Sequence, residues 1–365
     1  MKKLAFGACA TLVICHGAQA QSSVTLYGLI DTGLVFTTNQ KGGHEYQELS
    51  GVTQGSRWGL LGKEDLGGGT QAIFDLENGF ATNTGALGQG GLEFGRQAYV
   101  GLSNKTYGTL TLGRQYEEMV DYISTATTDK WSVLFEHPGD NDSTNRGFRV
   151  NNAIKYASAD FNGAKFSALY ALGGNPGAFA QNGVYSLGAS YAHGPFYLAT
   201  AYTHVDHPGQ INAGTFWTAT NSADGNYALT ATSYDVVGAS AKLTMGQAEV
   251  DAAITQSRFE HSVAGGNVRF QNYDLNASYR FTPALMVGTA FVYTNGLVET
   301  QGGHPRYQQA SLFIDYNLST RSDVYLMGTT QWANGTAAVA QVSQFLSAST
   351  SNRQTSVAVG MRHRF

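Results

Sequence analysis

The sequence predicts an all-β fold: a 16-stranded antiparallel transmembrane β-barrel with its third long loop folded inward. Three observations predict it. Polar and apolar residues alternate with a period of two along most of the chain. The connections between the alternating stretches are short and long by turns. One segment, Gly113 to Arg149, drops the alternation for about 35 residues while keeping aromatic side chains that can pack.

The chain opens with a stretch that does not belong to this pattern. Lys2 and Lys3 precede an apolar core from Leu4 to about Cys15, and Ala18-Gln19-Ala20 supplies small residues for cleavage. Residues 1–20 therefore read as an export leader, and residues 21–365 as one barrel domain. No later run reaches the roughly 18 apolar residues that a spanning helix needs. Both cysteines, Cys9 and Cys15, fall in the leader. A disulfide framework, a thiolate metal site and a cysteine nucleophile are thereby excluded from the remainder. Without Lys2 and Lys3 the chain has 20 basic residues against 26 acidic ones, a net charge of −6. That balance does not suit a nucleic-acid partner.

Composition supports strands rather than a conventional core. The sequence holds 45 glycines, 6 prolines, 20 tyrosines and 19 phenylalanines, and its mean hydropathy is only −0.20. Such a chain suits many strands whose two faces meet different solvents. The first strand, from Ser23 to Phe36, sets Val24, Leu26, Gly28 and Ile30 on one face and Thr25, Tyr27 and Asp31 on the other. From Tyr273 to Phe281, the face of Tyr273, Leu275, Ala277 and Tyr279 opposes Asn272, Asp274, Asn276 and Ser278. From Gln308 to Leu318 the apolar face is Ala310, Leu312, Ile314 and Tyr316, and Phe313 is an exception on the polar side.

The connections supply the count. Short turns occur near 65–69, 104–108, 160–163, 193–195, 243–246, 281–284 and 318–322. Long ones occur near 38–52, 82–92, 115–150, 174–182, 206–227, 260–267, 296–306 and 334–352. Seven short and eight long connections in strict alternation make 16 strands with turns at one end and loops at the other, the layout of a membrane barrel. Closure removes the unpaired edges that a bilayer would not tolerate. A bore of 16 strands is too wide for side chains to fill, so the third long loop is expected to narrow it. The last strand, Ser356 to Phe365, runs to the final residue with Val357, Val359, Met361, His363 and Phe365 on one face.

These residues carry a family resemblance. The chain resembles the trimeric general-diffusion porins of the Gram-negative outer membrane along essentially its whole length after the leader. The resemblance rests on the opening Val24–Asp31, on Ser56–Gly67, Phe94–Leu102 and Gly108–Tyr116, on His137–Asp142 and Phe148–Tyr156, and on the terminal Val359–Phe365. It implies a homotrimer in outer-membrane lipid, with the third long loop in each lumen and arginines on the facing wall. Arg57, Arg96 and Arg149 stand where the basic wall belongs. Glu117, Glu118 and Asp121 stand in the first part of the loop, and all six are the expected pore constriction. The second long loop, near Ala81–Gly91, is expected to reach toward a neighbouring subunit, and Phe365 matches the assembly signal. Glu136, before His137-Pro138-Gly139, departs from the pattern and argues against a strong anion preference.

Parity supports part of this assignment. Arg57, Gly59 and Lys63 share one face, and Trp58 and Leu60 the other. Arg96 draws similar support from Gln97 and Tyr99, taken as lying on opposite parity. Arg114 is read as a tether of the loop base or of a neighbour's loop.

Three functions compete. The favoured one is a water-filled channel for passive diffusion of small hydrophilic solutes and ions, which needs charges around a narrow bore rather than catalysis. The second is a solute-specific channel, for which Tyr116, Tyr122 and Trp131 could supply an aromatic track. The third is a barrel hydrolase, which needs a serine–histidine pair with an orienting partner. The sequence contains no phosphate-binding loop, zinc-protease motif or dinucleotide fingerprint. Its histidines stand mostly singly in loops or at strand ends, so no metal, cofactor or enzyme activity is expected.

Overall fold

Ring closure organises the chain. The computed structural model describes residues 22–145, 147–174, 176–177, 181–210, 227–262, 265–337 and 339–365. The expected leader, and parts of the fourth and fifth long connections, lie outside the described residues. The strands are β1 (Ser23–Gln40), β2 (Gly43–Ser50), β3 (Arg57–Gly67), β4 (Thr70–Gly79), β5 (Gln97–Asn104) and β6 (Gly108–Tyr116). They continue with β7 (Arg149–Ala157), β8 (Ala164–Ala171), β9 (Val184–His193), β10 (Phe196–Asp206), β11 (Ser233–Met245) and β12 (Ala248–Glu260). The last are β13 (Val268–Arg280), β14 (Leu285–Val298), β15 (Pro305–Asn317), β16 (Ser322–Gly335) and β17 (Arg353–Arg364). All belong to one antiparallel sheet, and β1 pairs with β17 from Leu29↔Arg364 to Thr37↔Ser356.

The wall has 16 staves, because β2 and β3 share one position. β2 pairs with the second half of β1, and β3 pairs with its first half. The first long connection is therefore not the loop expected near 38–52. The chain turns tightly at Lys41 and Gly42, both at positive φ, and returns as strand. The mixed sequence Glu45-Tyr46-Gln47-Glu48 hides that strand, since it lacks a clean apolar face. The irregular stretch sits instead at Gly51–Ser56, where Val52 is fully buried. Asp31 of β1 holds it. Its carboxylate accepts the backbone N–H of Thr53 at 3.1 Å and of Gln54 at 2.9 Å, and the hydroxyl of Tyr325 at 2.7 Å.

Elsewhere the alternation has the expected sense. In β13, Leu275 is 58% exposed on the outer face, whereas Asn272 and Asn276 are fully buried toward the lumen. The seven short turns fall where expected. Phe365 closes the seam: it exchanges backbone hydrogen bonds with Gly28 at 3.0 and 3.1 Å, and its ring lies where a Cβ of residue 28 would stand.

Two outcomes check this arrangement. Leu312→Arg, on the outer face, is expected to destabilise the barrel by about 2–4 kcal/mol near mid-bilayer, while Ser311→Ala beside it costs about 1 kcal/mol for its hydroxyl bond. Guanidinium unfolding in lipid vesicles measures both, and equal costs would reverse the inside–outside assignment. Deletion of Phe365 is expected to lower the yield of folded, heat-modifiable barrel in outer-membrane fractions. Wild-type levels on a gel-shift assay would remove its closing role.

Candidate functional site: the lumen constriction

The loop between β6 and β7 turns into the barrel and lies along the inner wall. It contains one turn of π-helix at Met119–Ile123 and three single 3-10 turns. Glycines on the lumen face of the wall receive its large side chains. A Cβ at Gly188 would stand 2.4 Å from the Tyr122 ring, one at Gly238 would stand 2.9 Å from Met119, and one at Gly288 would stand 2.8 Å from Trp131. Trp131 also stacks on Phe313 at 6.1 Å, so the apolar exception on the lumen face of β15 is a docking point. Polar bonds complete the seat. The Glu118 N–H donates to Ser186 Oγ at 3.1 Å, the Asn276 amide to Ala126 O at 2.8 Å, and the Ser132 hydroxyl to Val52 O at 2.7 Å. The inward stretch held by Asp31 thus catches the middle of the loop.

The second half of the loop is clamped by His137, which is fully buried. Its Nδ1 lies 2.7 Å from Asp142 of the loop and its Nε2 lies 2.7 Å from Asp274 of β13. Burial alone would lower the imidazole pKa, but the two carboxylates win and raise it well above its ordinary value, while His137 holds the Asp142 carboxyl below its own. Glu136 points away from the bore. It accepts Gln344 N–H and side-chain N–H bonds and an Asn145 bond, and burial pushes it up to about 7. The charge that argued against anion preference is therefore spent on joining the third loop to the eighth.

The three expected wall arginines converge. Arg57 Nε lies 3.6 Å from Glu77, and Arg96 Nε lies 2.7 Å from the same carboxylate. Arg96 and Arg149 both donate to the Tyr116 hydroxyl, at 2.9 and 2.7 Å, and Arg149 also lies over the Tyr116 ring. All three line a cavity of about 450 Å³ with Gly55, Gln89, Asp129 and Phe345. The parity reasoning for Arg96 fails. Gln97 faces the lumen, donating to Asp75, and the outward residues of β5 are Val100 and Leu102. Arg96 precedes the strand, where alternation has no force. Arg114 does tether the loop base: its Nε donates to Gly95 O at 2.8 Å and its guanidinium reaches Asn151.

The three expected loop acids separate. Glu117 and Glu118 are fully buried against the wall rather than presented to the bore. The Glu117 carboxylate accepts the Met119 N–H at 2.6 Å, the Val120 N–H at 3.2 Å and the Thr203 hydroxyl. Burial nevertheless pushes it up to about 8. Glu118 accepts the Ser167 hydroxyl at 2.6 Å and lies 3.2 Å from Lys155. Its carboxyl is raised by burial against the pull of that lysine. Asp121 alone is open, its side chain 42% exposed, and it pairs with Lys155. Sequence reasoning placed Tyr116 in an aromatic track rather than under the arginines, and it missed Lys155 and Glu77. The lumen parity of each in its strand was the available signal. Tyr122 and Trp131, taken as pieces of an aromatic track, are each 9% exposed and seated on the wall.

His137→Gln is expected to free the second half of the loop, since two buried carboxylates would then face each other without a cation; breaking such a pair costs roughly 3–5 kcal/mol. The raised imidazole pKa makes its contribution complete at low pH and lost as pH rises through the folded value. The depressed Asp142 pKa makes its contribution complete at neutral pH and lost as pH falls through the folded value. Limited proteolysis of the wild type should therefore spare the loop between about pH 5 and about pH 6.5 and cut the variant within it. Equal resistance would show that the clamp does not hold the loop.

Known proteins share this architecture. A family described as Gram-negative porin matches residues 7–362. An outer membrane porin protein of Bordetella pertussis is 30% identical over 410 aligned residues covering 100% of both chains. Outer membrane porin protein 32 of Delftia acidovorans is 28% identical, covering 98% of each. Among solved structures, the anion-selective porin from Comamonas acidovorans superposes with a TM-score of 0.76 at 22% identity, over 94% of this chain and 100% of that one. The trimer form of OmpT from Vibrio cholerae gives 0.69 at 14% identity, over 94% and 99%. Those two likenesses are of fold. With a closed 16-stave barrel, an in-folded third loop and a family match over nearly its whole length, the chain belongs to the Gram-negative porins and forms a passive diffusion channel in the outer membrane.

Proposed function

We propose that this porin works as a homotrimer of water-filled channels for small hydrophilic solutes, and that each constriction favours anions. The observation that carries the preference is the convergence of Arg57, Arg96 and Arg149 on one cavity, where the Glu77 carboxylate lies in ion-pair range of both Arg57 and Arg96. The loop acids that would oppose them are withdrawn. Glu117 and Glu118 are buried with raised pKa values, and Glu136 is turned to the eighth loop. Asp129, which does line the cavity, is pushed up to about 6 by burial. The constriction residues are then Arg57, Arg96, Arg149 and Asp121, with Glu117 and Glu118 as loop anchors. The naming of one structural neighbour as anion-selective and the trimer form of another support the same reading.

Local charge decides selectivity. A unit charge a few ångströms from a permeating ion contributes roughly 1–4 kcal/mol, depending on the effective dielectric, and charges beyond about 8 Å are screened at physiological salt. The reversal potential in planar bilayers under a KCl gradient tests this. The wild type is expected on the anion side. Neutralising Arg57, Arg96 and Arg149 to Gln moves it toward cations, Asp121→Asn moves it slightly toward anions, and Glu117→Gln with Glu118→Gln leaves it in place at neutral pH. A shift from the glutamate pair as large as that from the arginine triple would sink the assignment.

A further inference from the structure

We propose that the arginine cavity of the constriction takes small aromatic carboxylates, with the carboxylate held at Arg149 and the ring laid against Phe345, an assignment that rests on the anion preference proposed for the same cavity.

The charged side of the site is Arg149. Arg57 and Arg96 share the Glu77 carboxylate, but among the described residues no carboxylate lies within ion-pair distance of Arg149. Its guanidinium is oriented by neutral oxygens instead, donating to Gly147 O at 3.0 Å and to the Tyr116 hydroxyl at 2.7 Å. The residue is only 4% exposed. A cation stripped of water and given no counter-ion gains more from an arriving anion than a solvated one does. Its planar fork also matches the shape of a carboxylate.

The apolar side is Phe345. The same cavity of about 450 Å³ is walled by Phe80, Val133 and Phe345, and a filter for small ions gains nothing from such side chains. In the eighth loop Val342 and Leu346 are almost completely buried, whereas Phe345 is 46% exposed. The backbone explains the difference. The Gln344 N–H and side-chain amide are held by Glu136, at 2.5 and 2.9 Å, and the Leu346 N–H donates back to Ser343 O at 3.0 Å. Gln344 and Phe345 therefore form the corner of a tight turn, and the ring is displayed at the cavity wall at the cost of its own burial.

One buried group places the two sides together. Glu136 also accepts a bond from Asn145, four residues before Arg149. It thus ties the Phe345 turn beside the segment that enters β7. The cavity falls within the roughly 300–1,000 Å³ of small-molecule sites. Tyr122 and Trp131 are committed to seating the third loop, and Phe80 and Phe345 are the rings that line this space. An aromatic carboxylate uses both features, an anionic partner for the fork and a flat face to stack on Phe345.

Block of the KCl current through the full-length protein in planar bilayers tests this, with benzoate, acetate and benzyl alcohol as the added solutes. A ring contact is worth about tenfold in affinity, so benzoate should half-block at about one-tenth of the acetate concentration. Benzyl alcohol, which has the ring without the charge, should not block at benzoate's concentration. Phe345→Ala should reduce benzoate to the level of acetate, and Arg149→Gln should weaken both acids. Phe281→Ala, which removes an exposed ring at a short turn, should leave the ratio of the two acids unchanged. Equal block by benzoate and acetate in the wild type, an advantage that survives Phe345→Ala, or equal block by benzyl alcohol and benzoate overturns the proposal. A reversal potential that stays on the anion side would then leave the charge preference standing, whereas a wild-type value on the cation side overturns both. If Phe345→Ala does not fold, Phe345→Leu, which keeps apolar bulk and loses the ring, decides by the same ratio.

Discussion

Everything in this protein depends on closing the hydrogen-bond ladder between β1 and β17. In hydrocarbon an unpaired backbone amide has no water to turn to, so an open sheet edge cannot persist there. Closure explains why the chain must reach its last residue in register. Phe365 exchanges backbone bonds with Gly28 and covers the glycine with its ring. It also explains why two short strands, β2 and β3, can share one stave. Together they present the complementary edge that β1 needs along its length, and the break between them is free to turn inward.

Closure leaves a bore too wide to select, and the third loop solves that problem by docking rather than by rigidity of its own. Its helical turns are single and would not survive in water. The wall holds them through absent side chains at Gly188, Gly238 and Gly288, which admit Tyr122, Met119 and Trp131, and through a buried imidazole shared between loop and wall carboxylates. Packing of this kind forfeits adjustability: a methyl group in any of the three gaps would collide with the loop.

The electrostatic consequence is an uneven bore. Burial takes Glu117, Glu118 and Glu136 off the lumen surface and gives them structural work, so that the arginines around Tyr116 and Glu77 face fewer acids than the count of loop carboxylates suggests. Desolvation governs this outcome. A carboxyl pressed against the wall loses more hydration than nearby donors return, and its charged form becomes the costly one.

The strand alternation, the 16-stave count, the seven turns and the identity of the inward loop were legible in the sequence alone. Each follows from local rules: side-chain parity repeats every two residues, and turn chemistry is written in a few adjacent positions. The basic wall was legible to the extent that Arg57 sits within a strand. For Arg96, one residue outside β5, parity gave the wrong neighbours. Which acids meet the bore, which glycines are sockets, and that Asp31, Asp274 and Lys155 anchor the loop were decided only by tertiary structure. Asp274 and His137 are 137 positions apart, and Asp31 and Tyr325 are 294 apart. No local pattern marks such partners, because the contact exists only once the ring has closed and the loop has entered it.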